Sequence, residues 1–317
     1  MTRVSTVLRL RTVLRDRGSR PLLGALVLLL LALAMPPMKV ARDTFEVVVV
    51  FDVTQSMNVT DYEIGGHFHS RLDYARRSAQ QALRELPCGS RVGWGAFAEY
   101  RAVMLVAPME VCENYHDLLA SLDQIDWRLR WGNASEIAKG VFWAMRGVKE
   151  YAGRPDLIFV TDGQESPPQS GTGPQMFDDL ARGEIHGWLV GAGGDTPQPI
   201  PRVDAAGKVI GHWRADDVVQ RADPVTGQMA AGSREHLSQM QEPHLRTIAD
   251  RVGLGFARLD DLGTIGRLMR DPRFARRGTA EADLAWLPTS AALLLLAWAF
   301  WPAAWHVRRG RKTAVVA

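Results

Sequence analysis

Between residues 44 and 270 the chain alternates two kinds of hydrophobic pattern. Residues 45–53, FEVVVVFDV, form a continuous β-branched and aromatic run, which predicts a strand covered on both faces. Residues 70–86, SRLDYARRSAQQALREL, place Leu72, Ala75, Ala79, Ala82, Leu83 and Leu86 at helical spacing behind a serine suited to an N-cap. The apolar runs RVGWGAFA and AVMLVAPMEV flank Glu99-Tyr100-Arg101 and predict an antiparallel hairpin centred near Tyr100. Helices are predicted over 114–125 and 135–151, strands over 156–160 and 185–191, a helix over 243–252, a short strand over 255–259 and a last helix over 261–269. Strands alternating with helices predict an α/β fold, a mostly parallel central sheet with helices on both faces. Residues 193–241 break the rhythm. They are rich in proline and glycine, and IPRVDAAGKVIGHW carries two short strand-like runs around Ala205-Ala206-Gly207-Lys208, which predicts a hairpin insertion. Gly171-Thr172-Gly173-Pro174 reads as a loop.

Outside this region the pattern is apolar without periodicity. Residues 21–38, PLLGALVLLLLALAMPPM, carry no charge and are just long enough to cross a bilayer. Residues 284–305, LAWLPTSAALLLLAWAFWPAAW, have tryptophans at both ends, as expected of a spanning helix. Charge sharpens this reading. Residues 1–20 hold six arginines and one acid, and residues 306–317 hold four bases and no acid. Removing these from totals of 38 bases and 35 acids leaves 28 against 34, so the net charge of +3 belongs to the tails and gives no case for nucleic-acid binding. Positive tails are cytoplasmic tails, so 1–20 and 306–317 are expected in the cytoplasm, with residues 44–270 beyond the membrane, in the periplasm of a Gram-negative source. A cleaved signal peptide competes for the first apolar stretch, although Met-Pro-Pro-Met before Lys39 offers no small-x-small cleavage site.

The two cysteines bear on the compartment. Cys88 precedes the first hairpin run and Cys112 follows the second, so both sit at the open end of the hairpin. A disulfide there is geometrically reasonable and implies an oxidising compartment; two unpaired buried thiols are the alternative.

Candidate chemistry gathers at strand ends. The run VVVVFDVTQSMNVTD places Asp52, Thr54 and Ser56 at alternate positions as the first strand ends. In an open α/β sheet ligands bind beyond the carboxyl ends of the strands, and alternate residues of an extended segment share a side. One carboxylate and two hydroxyls can thus converge, and an all-oxygen cluster suits a hard cation such as Mg²⁺ or Ca²⁺. A second strand ends in Thr161-Asp162-Gly163, and WGNASEIAKGV supplies Ser135, with Asn133 as the alternative, ahead of a helix. Gln164 and Glu165 follow Asp162 and read as the rim of the site, open to a partner, as does Asn133. His67 and His69 lie in a glycine-bearing loop; they offer two nitrogen ligands to a soft metal but read first as solvated or partner-facing, and His236 and His244 lie in a polar stretch. The sequence has no P-loop, dinucleotide fingerprint or Ser–His–Asp pattern, so an enzymatic role has no support.

With these residues the chain resembles a von Willebrand factor A domain with its metal-ion-dependent adhesion site. That family carries Asp-x-Ser-x-Ser after the first strand, a threonine before a middle helix, and an aspartate after a later strand. The resemblance places Asp52 at the first aspartate, Thr54 and Ser56 at the two serines, Ser135 at the threonine, with Ile137 and Gly140 aligned behind it, and Asp162 at the last aspartate. It implies a divalent ion completed by an acidic side chain from a protein partner. Ser56-Met57 and Ser70-Arg71-Leu72 resemble the aerotolerance-type inner-membrane members, which implies a scaffold working with a chaperone-type (MoxR-type) ATPase. FDVTQSMNV, PIPRVDAAGKVIGHW and the two apolar flanks resemble more closely the accessory proteins of bacterial methanol oxidation. That likeness implies a role with periplasmic methanol dehydrogenase, or its maturation factors, in calcium insertion.

Overall fold

The computed structural model describes residues 20–168, 180–204, 206–220 and 234–300. In chain order the helices and strands are α1 (Arg20–Ala34), β1 (Met38–Thr44), β2 (Glu46–Asp52), β3 (Tyr62–Ile64), β4 (His67–His69), α2 (Arg71–Glu85), β5 (Arg91–Ala98), β6 (Arg101–Glu110), α3 (Tyr115–Asp123), α4 (Ile137–Lys149), β7 (Asp156–Thr161), β8 (Gly187–Gly191), β9 (Gln198–Pro199), β10 (Pro201–Val203), β11 (Val209–His212), β12 (Leu237–Ser238), α5 (Glu242–Val252), β13 (Gly255–Arg258), α6 (Thr264–Met269), β14 (Arg276–Ala282) and α7 (Trp286–Ala299).

Six strands form the central sheet in the order β13-β8-β7-β2-β5-β6, with β6 antiparallel to β5 and the other pairs parallel. The β-branched run predicted as a doubly covered strand is β2, the centre of this sheet. Its residues divide by parity. Val47, Val49 and Phe51 pack with α2, α3 and α6, as does Val53 just beyond the strand, whereas Val48 and Val50 pack with α4 and α5. Successive strands run outward from β2 on one side through β5 and β6, and on the other through β7, β8 and β13. The order therefore reverses between β2 and β5 on one flank and β7 on the other, the place where this class of sheet opens a crevice.

Local signals held closely. Ser70 caps α2, its hydroxyl accepting from the Asp73 amide at 3.1 Å. The β5–β6 hairpin turns at Glu99-Tyr100, with Ala98 opposite Arg101 and Arg91 opposite Glu110. At its open end Cys88 and Cys112 are disulfide-bonded, their Cα atoms 5.3 Å apart. Glu110 lies beside both sulfurs, but sulfurs joined to each other are not thiolate ligands. Replacing both cysteines with serine is expected to cost about 3 kcal/mol, because the bond closes a loop of 24 residues in the unfolded chain. Urea unfolding of the oxidised protein and the double variant measures this.

Two segments differ from expectation. Residues 62–69 are not an open loop but the hairpin β3–β4, turning on Gly65-Gly66, both with positive φ. A two-residue turn of this hand matches strand twist and needs positive φ, which glycine adopts without strain. Residues 38–44 and 276–282, unassigned by pattern, form the two-stranded pair β1–β14. The predicted hairpin in the insertion is present as β10–β11, and β9 pairs with β12 to close the insertion at its base. The segment 171–174, residues 1–19 and 306–317 of the basic tails and 301–305 of the second apolar stretch lie outside the described residues.

The described residues divide into two compact units, one of Arg42–Thr279 and one made from the flanking segments. In the second unit α1 and α7 pack together, with Gly24 against Leu295 and with Ala25 and Ala292 buried. α1 has 15 residues and gives way before Pro36-Pro37; α7 has 14. Among the described residues no helix is long and apolar enough to cross a membrane. Both helices nonetheless expose large apolar side chains, among them Leu30, Leu33, Leu294 and Trp298.

Asp156 opens β7 at the amino end of the sheet, away from the strand ends that carry Asp52 and Asp162. Burial pushes its carboxyl up to about 7, against the pull of Arg276, with Glu46 and Asp271 raising it further. A folded-state value above the ordinary 3.8 means that the contribution of this group to stability is present at low pH and lost as pH rises through 7. Asp156→Asn is therefore expected to be more stable than wild type at pH 8 by roughly 2 kcal/mol, with the gain vanishing near pH 4. Thermal melts of both proteins across this range check the sign.

Candidate metal centre

The site forms where β2 and β7 end side by side. Asp52, the last residue of β2, is wholly buried, and its two oxygens are held separately. Oδ1 accepts from the Thr54 amide at 2.8 Å, and Oδ2 from the Thr161 hydroxyl at 2.6 Å. Both donors are neutral. Burial first, then the neighbouring Asp162 carboxylate, pushes Asp52 up to about 7. Asp162 follows β7 and is equally buried. Its Oδ1 accepts from the Ser56 hydroxyl at 3.1 Å and the Gln164 amide at 3.0 Å.

Strand parity alone does not bring Thr54 and Ser56 together. The chain leaves β2 after Asp52 and enters a short 3-10 turn, Gln55–Asn58, which swings the Ser56 hydroxyl to 3.4 Å from that of Thr54. Ser135 arrives from the far side. It lies two residues before α4, not within it, in an extended position bridging Glu99 and Ser166. Its amide donates to the Ser166 carbonyl at 2.6 Å, and the Ser166 amide returns a bond at 2.9 Å. Ser135 is 3% exposed, and its hydroxyl has no hydrogen-bond partner. Asn133, the alternative to Ser135, instead spends its carbonyl on Gln55 at 3.0 Å.

Thr54, Ser56 and Ser135 line one wall of a cleft of about 250 Å³. The insertion contributes Ile200, Trp213, Val218 and Val219 to the same lining. The residues expected on the rim are more constrained than their polarity implied. Gln164 is buried and bonded to Glu235 of the insertion at 3.2 Å, and Glu165 faces His244 at 2.9 Å. His69 is occupied with Asp73 at 2.7 Å.

The donor set fits a hard divalent cation. It consists of oxygen atoms only, it contains two buried carboxylates, and one buried hydroxyl lacks any partner within the protein. An unpaired buried hydroxyl costs free energy that an ion at this position recovers. Three residues not among the expected site residues hold its carboxylates. Thr161 orients Asp52, whereas Arg71 and Ser238 hold the second oxygen of Asp162, each at 2.8 Å. Arg71 could have been noticed as a charge directly beside the apolar face of α2; Ser238 sits in a polar stretch where nothing distinguishes it.

Comparison with known proteins agrees with this architecture. Residues 47–164 match the family model of the von Willebrand factor type A domain. Over that segment the chain is similar to the von Willebrand factor type A domain, and its α/β fold with a mixed central sheet accords with the likeness. A UPF0353 protein of Mycobacterium sp. (strain KMS) is 30% identical over 172 residues, covering 51% of this chain and 48% of that protein. A UPF0353 protein of Mycobacterium ulcerans (strain Agy99) is 25% identical over 263 residues, 75% of this chain and 72% of the relative. The chain spans about half the length of the first of these relatives. Among solved structures, an aerotolerance-related membrane protein from Bacteroides fragilis is similar at 18% identity, covering 71% of this chain and 96% of that one with a TM-score of 0.47.

Proposed function

We propose that this domain binds a divalent cation, Mg²⁺ or Ca²⁺, and uses it to grip an acidic side chain of a protein partner. The unpartnered Ser135 hydroxyl, buried and facing the cleft beside Thr54 and Ser56, carries this reading. Asp52, Thr54, Ser56, Ser135 and Asp162 would hold the ion, directly or through water, and the cleft leaves a side open to a ligand. The ion supplies a positive charge that a carboxylate from outside can complete. The insertion supplies apolar residues to the cleft lining, which would select what flanks the acid. The role in this proposal is binding; the two acids in the cleft lining, Asp217 and Glu235, both come from the insertion.

The disulfide and the exposed apolar faces of α1 and α7 support membrane anchoring with the domain in an oxidising compartment, the periplasm. For the client we propose periplasmic methanol dehydrogenase or its maturation factors, on the likeness of FDVTQSMNV and the PIPRVDAAGKVIGHW insertion to accessory proteins of that system. The rival is an inner-membrane scaffold of the aerotolerance type, which Ser70-Arg71-Leu72 favours. Capture of periplasmic proteins on wild type and Asp52→Ala, each with Mg²⁺ or with chelator, tests the function. Metal-dependent recovery of a defined partner by wild type alone is expected. Equal recovery in all four conditions overturns it, and the identity of the recovered protein separates the two clients.

A further inference from the structure

Arg71 is entirely buried, an unusual place for a guanidinium, and it touches the candidate site only through Asp162. Its Nη1 donates to Asp162 Oδ2 at 2.8 Å and to the Ser238 hydroxyl at 2.7 Å. Its Nη2 donates to Asp61 Oδ2 at 2.7 Å and to the Ser238 carbonyl at 3.2 Å, and its Nε bridges both oxygens of Asp61. The Ser238 hydroxyl itself donates to Asp162 Oδ2 at 2.8 Å. Four donors of the protein therefore converge on Asp162, two on each oxygen. Asp52, in contrast, has two neutral donors and no cation. The two carboxylates of the site are thus unequal: one is consumed by the protein, the other is not.

We propose that Arg71 sets the charge of the metal centre, holding Asp162 as an outer carboxylate that acts through the Ser56 hydroxyl. This inference rests on the metal-binding reading above. Asp52, Asp61, Asp162 and Arg71 together carry two net negative charges when ionised, which one dication neutralises. Without Arg71 the same group would carry three, and the loaded site would remain negative and repel an incoming carboxylate. Arg71 therefore lowers the affinity for the ion and preserves its attraction for an acid. It also couples the site to the insertion, since Ser238 belongs to β12 at the base of that segment. A residue that only filled space or stapled segments would act differently: any change to it would loosen the ion.

Calorimetric titration of the full chain with Mg²⁺ and, separately, with Ca²⁺ distinguishes the two. Arg71→Gln is expected to bind the ion about tenfold more tightly than wild type, and Asp61→Asn several-fold more weakly, from a unit charge at this range in a medium of intermediate dielectric. The double variant, which restores the net charge, is expected to lie within about threefold of wild type. If both single variants weaken binding, the inference is overturned. Should Arg71→Gln not fold, the double variant compared with Asp61→Asn decides the matter, because it removes the guanidinium where its partner is already neutral. No tightening between those two overturns the inference. Failure of wild type to bind either ion overturns the metal-binding reading, and this inference with it.

Discussion

Asp52→Asn is expected to remove most of the stabilisation by Mg²⁺ while leaving the metal-free domain at least as stable as wild type. The amide has the shape of the carboxylate and can accept from the Thr54 amide, as Asp52 Oδ1 does at 2.8 Å. It removes the buried charge that Asp162 opposes and that burial already drives towards protonation. The metal loses its one carboxylate not tied to an arginine. A charge removed at contact distance is worth several kcal/mol even at an effective dielectric of about 20, so affinity should fall at least about a hundredfold. At an ion concentration of about 100 times the wild-type dissociation constant, wild type gains about 2.7 kcal/mol and the variant about 0.4. Melting with and without Mg²⁺ reads this directly. An equal upward shift in both proteins would show that the ion binds elsewhere.

How much of this was legible in the sequence differs between fold and site. The β-branched run of β2, the Ser70 cap, the β5–β6 hairpin and the Cys88–Cys112 pair are local patterns, and each was readable because local physics decides it. Asp52, Thr54, Ser56, Ser135 and Asp162 were readable as strand-end and loop residues; the structure brings Thr54, Ser56 and Ser135 to one cleft and bonds Asp52 and Asp162 to the Thr54 amide and the Ser56 hydroxyl. The manner of gathering was not. Parity suggested that Ser56 continues an extended segment, but a 3-10 turn places it. Arg71 and Ser238 are 167 positions apart, and nothing local to either announces that they meet on Asp162. The cover that the insertion lends to the cleft was invisible for the same reason, since only the β9–β12 pairing brings it back. Gly65-Gly66 between alternating residues was a hairpin signal present in the sequence and read as a loop. The apolar flanks were legible as helix, but composition said nothing of Pro36-Pro37 ending α1 as early as Ala34.

Gly140→Val is expected to cost about 4 kcal/mol and to weaken Mg²⁺ binding about tenfold or more, although the residue touches no member of the site. A Cβ at position 140 would stand 2.1 Å from Phe97 Cε2 and 2.3 Å from Cδ2. Phe97 is fully buried and its ring tilts against Phe159 with centroids 5.4 Å apart, so it has nowhere to retreat. The helix must give way instead. α4 is joined to the site through the segment just before it, where the Glu99 amide donates to the Ala134 carbonyl at 3.0 Å and the Glu136 amide to the Glu99 carbonyl at 2.5 Å. Lifting the helix strains these bonds and moves the Ser135 hydroxyl away from those of Thr54 and Ser56. Gly147, two turns later on the same helix, is the control. A Cβ there would meet the Met104 methyl at 2.7 Å, the far end of a flexible side chain that can turn aside. Gly147→Ala should stay within about 1 kcal/mol of wild type, because relief of helical glycine entropy offsets the crowding, and should bind the ion normally. Equal ion affinity in both variants would mean that the seat of α4 on Phe97 does not position Ser135.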